Sequence, residues 1–150
     1  MSIKETLQSD LNTAIRGRDE VSSSTIRMLL TAITNEEVAG KEKKALSDDE
    51  IITVLSREAK KRREAVEAYD AAGRADKAAA EKAEGVVIAK YLPEQLSEAD
   101  LQKLISETIA AVGAASPADM GKVMGALKPK IAGKADGAIV SNLVKAALAK

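Results

Sequence analysis

The chain has 150 residues, with 23 basic and 23 acidic side chains, no His, no Cys, and two Tyr as its only aromatic residues. Without His or Cys there is no imidazole base, no thiolate nucleophile and no imidazole or thiolate metal site. The remaining Asp, Glu, Lys, Ser, Thr and Tyr side chains could still support acid–base or carboxylate–metal chemistry, but composition identifies no such site, and we expect neither a metal nor a cofactor. The polar start MSIKETLQSD, the absence of Cys and the lack of an apolar run of ~18 residues predict a cytoplasmic protein without a signal peptide or membrane span.

The composition predicts an all-α fold. Ala supplies 28 residues, and Leu, Ile, Val and Met provide the remaining core, which favours closely packed helices. We predict a four-helix amino-terminal part with one long helix, followed by a small three-helix bundle. The boundary is placed at Pro93, where long charged helices give way to shorter, glycine-bearing ones, so the predicted domains are residues 1–92 and 93–150.

The first two predicted helices differ in how many sides are apolar. The first begins at Ser2 with a capping box to Glu5 and is apolar on one side. The second, about 19–39, is apolar on two sides and is therefore predicted to be central. The apolar residues are Ile3, Leu7, Leu11 and Ile15 in the first helix, and Ile26, Leu29, Leu30 and Ile33 opposite Val21, Met28 and Ala32 in the second.

The third predicted helix, about 48–72, is the long one and begins with a second capping box at Ser47 and Glu50. Arg62 falls in the middle of its apolar stripe, one turn after Glu58. A buried arginine needs a carboxylate partner. Two interpretations stay open: an ion pair with Glu58 or an acid on a neighbouring helix, or an arginine held for a ligand or partner protein.

A fourth helix, about 74–91, is predicted to carry Ala79, Ala83, Val87 and Tyr91 on its buried side. Beyond Pro93, Ser97 caps a helix that stops at Gly113. Pro117 opens the next helix and Pro129 is predicted to break it. Asp136 caps the last helix, whose apolar residues are Ile139, Val140, Leu143, Val144 and Leu148.

The carboxy-terminal part of the chain is basic, although the whole chain has no net charge. From Pro117 onward there are six lysines against two aspartates, a net charge of +4. This indicates either an electrostatic footprint for nucleic acid or an ordinary solvated lysine face. Gly121 and Gly125 lie four residues apart on one helix face, and glycine inside a helix costs ~1 kcal/mol relative to Ala, so something is expected to approach the backbone closely. Another helix is the commoner reason, and a nucleic-acid backbone is the alternative.

A second string, Lys130 to Gly137, turns into the last helix. Free N–H groups at a helix start can bind phosphate, but Asp136 at the cap would repel it. Lys130 and Lys134 are therefore expected to act as ordinary charge contacts. Because the chain offers no aromatic side chains on which bases could stack, any RNA contact would recognise the sugar–phosphate backbone and the shape of the RNA.

Several strings together resemble the YqeY family over essentially the whole chain: TIRMLLTAI from Thr25, REAKKRRE from Arg57, YLPEQL from Tyr91, MGKVM from Met120 and GKADG from Gly133. Residues 93–150 also resemble the tail domain of GatB, the subunit of the tRNA-dependent amidotransferase that positions tRNA. The resemblance implies an all-α protein whose tail holds the outer body of tRNA. The residues implied are Lys122, Lys128, Lys130 and Lys134, flanked by Gly121, Gly125 and Gly133.

The residues and the resemblance together leave three functions open. The first is a non-catalytic tRNA-binding accessory related to the amidotransferase. The second is a helical adaptor that docks on an aminoacyl-tRNA synthetase or amidotransferase through the long third helix and Arg62. The third is carbon–nitrogen ligase activity with glutamine as amide donor, the family label. We expect no enzymatic activity, because the transamidating core of GatB and the Ser/Lys machinery of its partner subunit have no counterpart in these 150 residues.

Overall fold

The computed structural model describes residues 1–149, and every regular element in that range is helical. The all-α prediction is confirmed. The chain divides into two compact units, Met1–Leu92 and Pro93–Lys150, which are called unit 1 and unit 2 below and are described separately.

Unit 1 contains four helices: α1 (Ile3–Arg16), α2 (Glu20–Glu37), α3 (Asp48–Ala71) and α4 (Ala75–Ala89). Both predicted capping boxes are present. The hydroxyl of Ser2 accepts from the backbone N–H of Glu5, whose carboxylate accepts in turn from the N–H of Ser2, and Ser47 and Glu50 make the same pair of bonds. Because these bonds satisfy N–H groups that lack intrahelical partners, the sequence alone fixes where α1 and α3 begin.

The core of unit 1 forms around α2, which contacts α1, α3 and α4. Val21 and Ile15 were predicted to be part of the apolar faces, and this is wrong, since each is 46% exposed. Both lie in terminal turns, Ile15 at the end of α1 and Val21 at the start of α2, beyond the reach of the packed helices. The largest fully buried side chains of the unit are Leu7, Ile26, Leu29, Ile33, Ile51, Leu55 and Ile88.

The buried face of α4 differs from the prediction. Val87 is buried as predicted, but Ala79 is exposed, and Ala78 and Ile88 are buried instead. The buried face therefore includes Val87 but extends around the axis toward Ala78 and Ile88, each ~100° or more from the predicted neighbours Ala79 and Val87. This extension places Glu81 and Glu84 toward α3, with consequences for Arg62 described below.

The carboxylate of Glu37 links α1 to the connector between α2 and α3. Glu37, at the end of α2, is only 4% exposed; its Oε1 lies 2.8 Å from Lys4 Nζ on α1, and its Oε2 accepts from the N–H of Leu46 at 3.4 Å. The hydrogen bond from Lys4 is the main reason that the pKa of Glu37 lies below its ordinary value. The pair therefore anchors the connector between α2 and α3 to α1.

Unit 2 contains α5 (Glu98–Val112), a short 3-10 turn (Pro117–Asp119), α6 (Met120–Ile131) and α7 (Gly137–Leu148). The predicted caps at Ser97 and Asp136 are confirmed, and Gly113 ends α5 in the left-handed region at φ 69°. Each α-helix contacts the other two. The core residues are Leu101, Ile105, Val123, Leu127, Ile131, Val140, Val144 and Leu148.

Two predictions for unit 2 are wrong. Pro129 does not break the second helix, because α6 continues to Ile131. Proline removes one helical hydrogen bond, but Ile131 is buried in the core, and this burial favours keeping the last turn helical. Ile139, predicted to be in the apolar face of α7, is 48% exposed because it lies in the first turn, ~100° around the helix from buried Val140.

Candidate nucleic-acid interface

The continuation of α6 through Pro129 sets the directions of its lysines. At ~100° per residue, Lys128 lies ~120° from Lys122 on one side and Lys130 lies ~80° from it on the other. Lys128 and Lys130 therefore leave α6 ~160° apart, on opposite flanks of the exposed surface. All three are exposed, as is Lys134 in the following turn. The four lysines that the sequence grouped together therefore do not share one side of α6, and Lys122 lies between the directions of Lys128 and Lys130.

The two glycines lie on the side of α6 that is bordered by Lys122 and Lys128. On the helical wheel Gly121 and Gly125 lie between these two lysines. Both are exposed, and a Cβ placed on either one would meet nothing within 4 Å outside its own helix backbone and immediate neighbours. The surface formed by Gly121, Lys122, Gly125 and Lys128 is called the glycine face of α6. It exposes bare helix backbone bordered by two lysines whose backbone positions lie about 9 Å apart along the axis.

Packing against another helix was the commoner explanation for the glycine pair, and the structure contradicts it. No helix in the described part of the chain approaches either position closely enough to need the missing Cβ. Because glycine lowers helix stability without a packing gain here, the pair has no structural reason within residues 1–149. The other alternative, a ligand backbone that comes close to α6, is consistent with this geometry.

Gly133 and Lys134 form a different local structure, a turn held by the segment that enters unit 2. Gly133 has φ 72°, in the region that favours glycine. Its carbonyl accepts from Gln95 Nε2 at 2.7 Å, and the carbonyl of Lys134 accepts from the N–H of Leu96 at 2.9 Å. Gly133 therefore shapes the backbone of this turn, and Lys134 projects from it into solvent.

The two aspartates near the lysines use their carboxylates on backbone donors. Asp119 accepts from the N–H groups of Ala115 and Ser116, which lower its pKa, and Lys122 adds a smaller effect in the same direction. Asp136 Oδ1 accepts from the N–H of Ala138 at 2.8 Å. The first turn of α7 is thus capped from within the chain, as the sequence predicted, and any phosphate would meet the lysines rather than this helix end.

Arg62 lies in a different environment, inside unit 1. Its side chain is 15% exposed, and its Nε is 2.8 Å from Glu84 Oε2 and 3.5 Å from Glu81 Oε2 on α4. The 2.8 Å approach is an ion pair without the alignment of a hydrogen bond. One of its terminal nitrogens lies 3.8 Å from Glu58 and also contacts the sulfur of Met28. Of the two interpretations of Arg62, the structure shows the ion pair with neighbouring acidic side chains.

Glu81 and Glu84 are the residues of this cluster that the sequence analysis missed. Glu81 stands three residues after buried Ala78 and seven before buried Ile88, so it interrupts the apolar stripe of α4 in the way that Arg62 interrupts that of α3. Gly85 lies beside them, and a Cβ added there would be 3.9 Å from the Cβ of Arg62. An acidic residue in the apolar stripe of α4 and an arginine in the apolar stripe of α3 together could have indicated an ion pair between the two helices.

The fold and these sites define the general class of the protein. It is an all-helical protein of two units, in which carboxylates enclose Arg62 in unit 1 and exposed lysines project from unit 2. The chain belongs to the YqeY family, since a family model described as "Yqey-like protein" matches residues 4–148. No curated protein matches the sequence. Within residues 1–149, no helix is both long and apolar enough to cross a membrane, and no group of three or more acidic side chains is arranged to hold a metal ion.

Proposed function

We propose that this chain is a cytoplasmic, non-catalytic tRNA-binding accessory protein that holds the outer body of tRNA through unit 2. The resemblance of residues 93–150 to the GatB tail domain suggests the ligand, and the net charge of +4 from Pro117 onward supports a polyanion. The observation that carries the proposal is the glycine face of α6. Open helix backbone between Lys122 and Lys128 lets ribose and phosphate approach closely while both ammonium groups meet phosphates.

The salt dependence of binding tests this assignment. Labelled total tRNA is titrated with the full chain and with the double variant Lys122→Ala/Lys128→Ala at several salt concentrations. Each lost phosphate contact is expected to reduce the slope of log affinity against log salt by about 0.7–0.9. Lys130→Ala/Lys134→Ala removes the same charge from two lysines outside the glycine face and should change the slope less. Lys103→Ala, an exposed lysine of α5, is the control with no expected effect.

A glycine variant separates steric fit from charge. Gly125→Ala keeps every lysine, so the salt slope should stay unchanged while affinity falls at all salt concentrations, because the methyl group prevents close approach. An unchanged affinity in Gly125→Ala, together with equal slopes in the two lysine variants, would contradict the placement of RNA on this face.

The non-catalytic part of the proposal rests on the residue inventory. The sequence has no Cys or His for a glutaminase-type nucleophile and base. Purified protein is therefore expected to release no ammonia from glutamine, with or without tRNA. Release above the buffer background would instead favour the carbon–nitrogen ligase activity of the family label.

An adaptor function is the second candidate, favoured by a groove between α5 and α7. The groove has a volume of about 400 Å³ and contains no charged side chain among its lining residues, which include Ile105, Ile109 and Leu143. Depletion of charge is typical of the core of protein interfaces. With Arg62 enclosed in unit 1, this groove is the better docking surface for a synthetase or amidotransferase. Such a complex should survive high salt and be lost in Ser106→Glu.

A further inference from the structure

A small, open cavity with both apolar and charged lining residues lies where α1, α2 and α4 meet in unit 1, apart from the Arg62 cluster and from the glycine face of unit 2. Its volume is about 180 Å³, well below the ~300–1,000 Å³ of sites for drug-sized ligands, so its occupant must be small. Ile26 and Val87 give it an apolar wall. Its charged and hydroxyl-bearing lining residues include Asp10, Asp19, Ser22, Lys90 and Tyr91.

One carboxylate of this cavity is held in place and still has an unused oxygen. Asp10 Oδ2 accepts from the hydroxyl of Tyr91 at 2.6 Å. Burial, and secondly Asp10 itself, raise the pKa of Tyr91, so the phenol stays protonated and continues to donate. In residues 1–149 the second oxygen, Oδ1, has no partner. A fixed carboxylate with one open oxygen is an acceptor for an ammonium group.

The second carboxylate is occupied by the helix it caps. Asp19 Oδ1 accepts from the N–H of Ser22 at 3.1 Å and Oδ2 accepts from its hydroxyl at 2.7 Å. These bonds lower the pKa of Asp19, and Lys90 adds a weaker electrostatic effect. Lys90 is exposed and forms no hydrogen bond or ion pair with a side chain in the described part of the chain. Its ammonium group is therefore available to a carboxylate that enters the cavity.

We propose that this cavity binds a small zwitterion, an α-amino acid with a short side chain. The ammonium group of the ligand pairs with Asp10, its carboxylate pairs with Lys90, and its side chain packs against Ile26 and Val87. A ligand with only a positive charge would face Lys90, and one with only a negative charge would face two aspartates. The charge pattern thus selects molecules that carry both groups close together.

The test titrates the full-length, ¹⁵N-labelled chain with L-alanine at constant ionic strength and follows amide shifts near Thr13, Ser22 and Val87. L-alaninamide, which lacks the carboxylate, and N-acetyl-L-alanine, which lacks the ammonium group, serve as the matched half-ligands. We expect saturable shifts with L-alanine and about tenfold weaker binding of each half-ligand, the loss typical of one charge-assisted contact.

Two variants assign the contacts. Asp10→Asn keeps an acceptor for the Tyr91 hydroxyl but removes the charge, and Lys90→Ala removes the cation; each should weaken L-alanine binding about tenfold. Asp70→Asn on α3 and Lys82→Ala on α4, both exposed, are the controls and should bind like the parent chain. The proposal is overturned if L-alanine causes no saturable shifts, or if either half-ligand binds as tightly as L-alanine. It is also overturned if Asp10→Asn binds L-alanine like the parent chain while a denaturation curve shows that the variant is folded.

Discussion

The two units use their cations in opposite ways. In unit 1, Arg62 stands in an apolar stripe and is enclosed by Glu58, Glu81 and Glu84, so its charge joins α3 to α4. In unit 2, Lys122 and Lys128 stand outside the apolar stripe of α6 and project beside open glycine backbone. The position of a cation relative to the buried stripe, rather than its charge, decides whether it is enclosed by carboxylates or stays exposed to solvent.

The largest expected effect comes from opening the enclosed cluster. Arg62→Ala leaves three carboxylates close together without their cation, and we expect the free energy of unfolding of unit 1 to fall by about 3 kcal/mol, the lower end for one partner of a buried pair because 15% of the side chain is exposed. Urea denaturation measures it. Arg57→Ala, which removes an exposed partner of Glu36, should cost less than about 1 kcal/mol. Equal losses in the two variants would mean that Arg62 acts like a surface residue.

A smaller effect of opposite sign is expected in unit 2. Gly125→Ala should raise the free energy of unfolding by about 0.5–1 kcal/mol, because the position is helical and the added methyl group meets open space. Gly113→Ala is the matched comparison, and it should destabilise by about 1 kcal/mol, since Gly113 has φ 69°. Thermal unfolding of both variants gives the two signs. A loss of stability in Gly125→Ala would indicate a packing role that the geometry does not contain.

The smallest effect concerns acid. The pKa of Glu37 is lowered chiefly by the hydrogen bond from Lys4. The ionised carboxylate therefore stabilises unit 1 fully at pH values above its ordinary pKa of 4.5, and this contribution is lost as the pH falls through the lower pKa of the folded state. Glu37→Gln should therefore be less stable than the parent chain at neutral pH, and the difference should disappear in acid. Glu42→Gln, an exposed change in the same connector, is the control. A difference that does not depend on pH would assign the effect to packing rather than to charge.

Most helix positions were predictable because local signals mark them. Ser2 and Ser47 with their capping boxes, Ser97, Gly113 and Asp136 each act on backbone groups within a few residues. The errors fall where distant contacts compete with local preference. Pro129 would break an isolated helix, but the buried Ile131 favours keeping α6 helical, and Ile15, Val21 and Ile139 are exposed because terminal turns leave the packed region.

The candidate sites were predictable only in part. The sequence identified the lysines and glycines near the end of the chain, but the division of Lys128 and Lys130 onto opposite flanks depends on a helix that continues through Pro129. It also identified Arg62 as unusual without giving Glu81 and Glu84 as its partners. The cavity of Asp10, Lys90 and Tyr91 joins residues about 80 positions apart, and no local pattern links them.

The sequence by itself determined that this protein is helical, where most helices begin and end, and that its lysines gather near one terminus, because these properties depend on neighbouring residues and on composition. Only the tertiary structure decided which charges are enclosed and which are open. Burial and pairing depend on what another helix brings to the same place, and a single sequence does not record how far apart in space two distant residues lie.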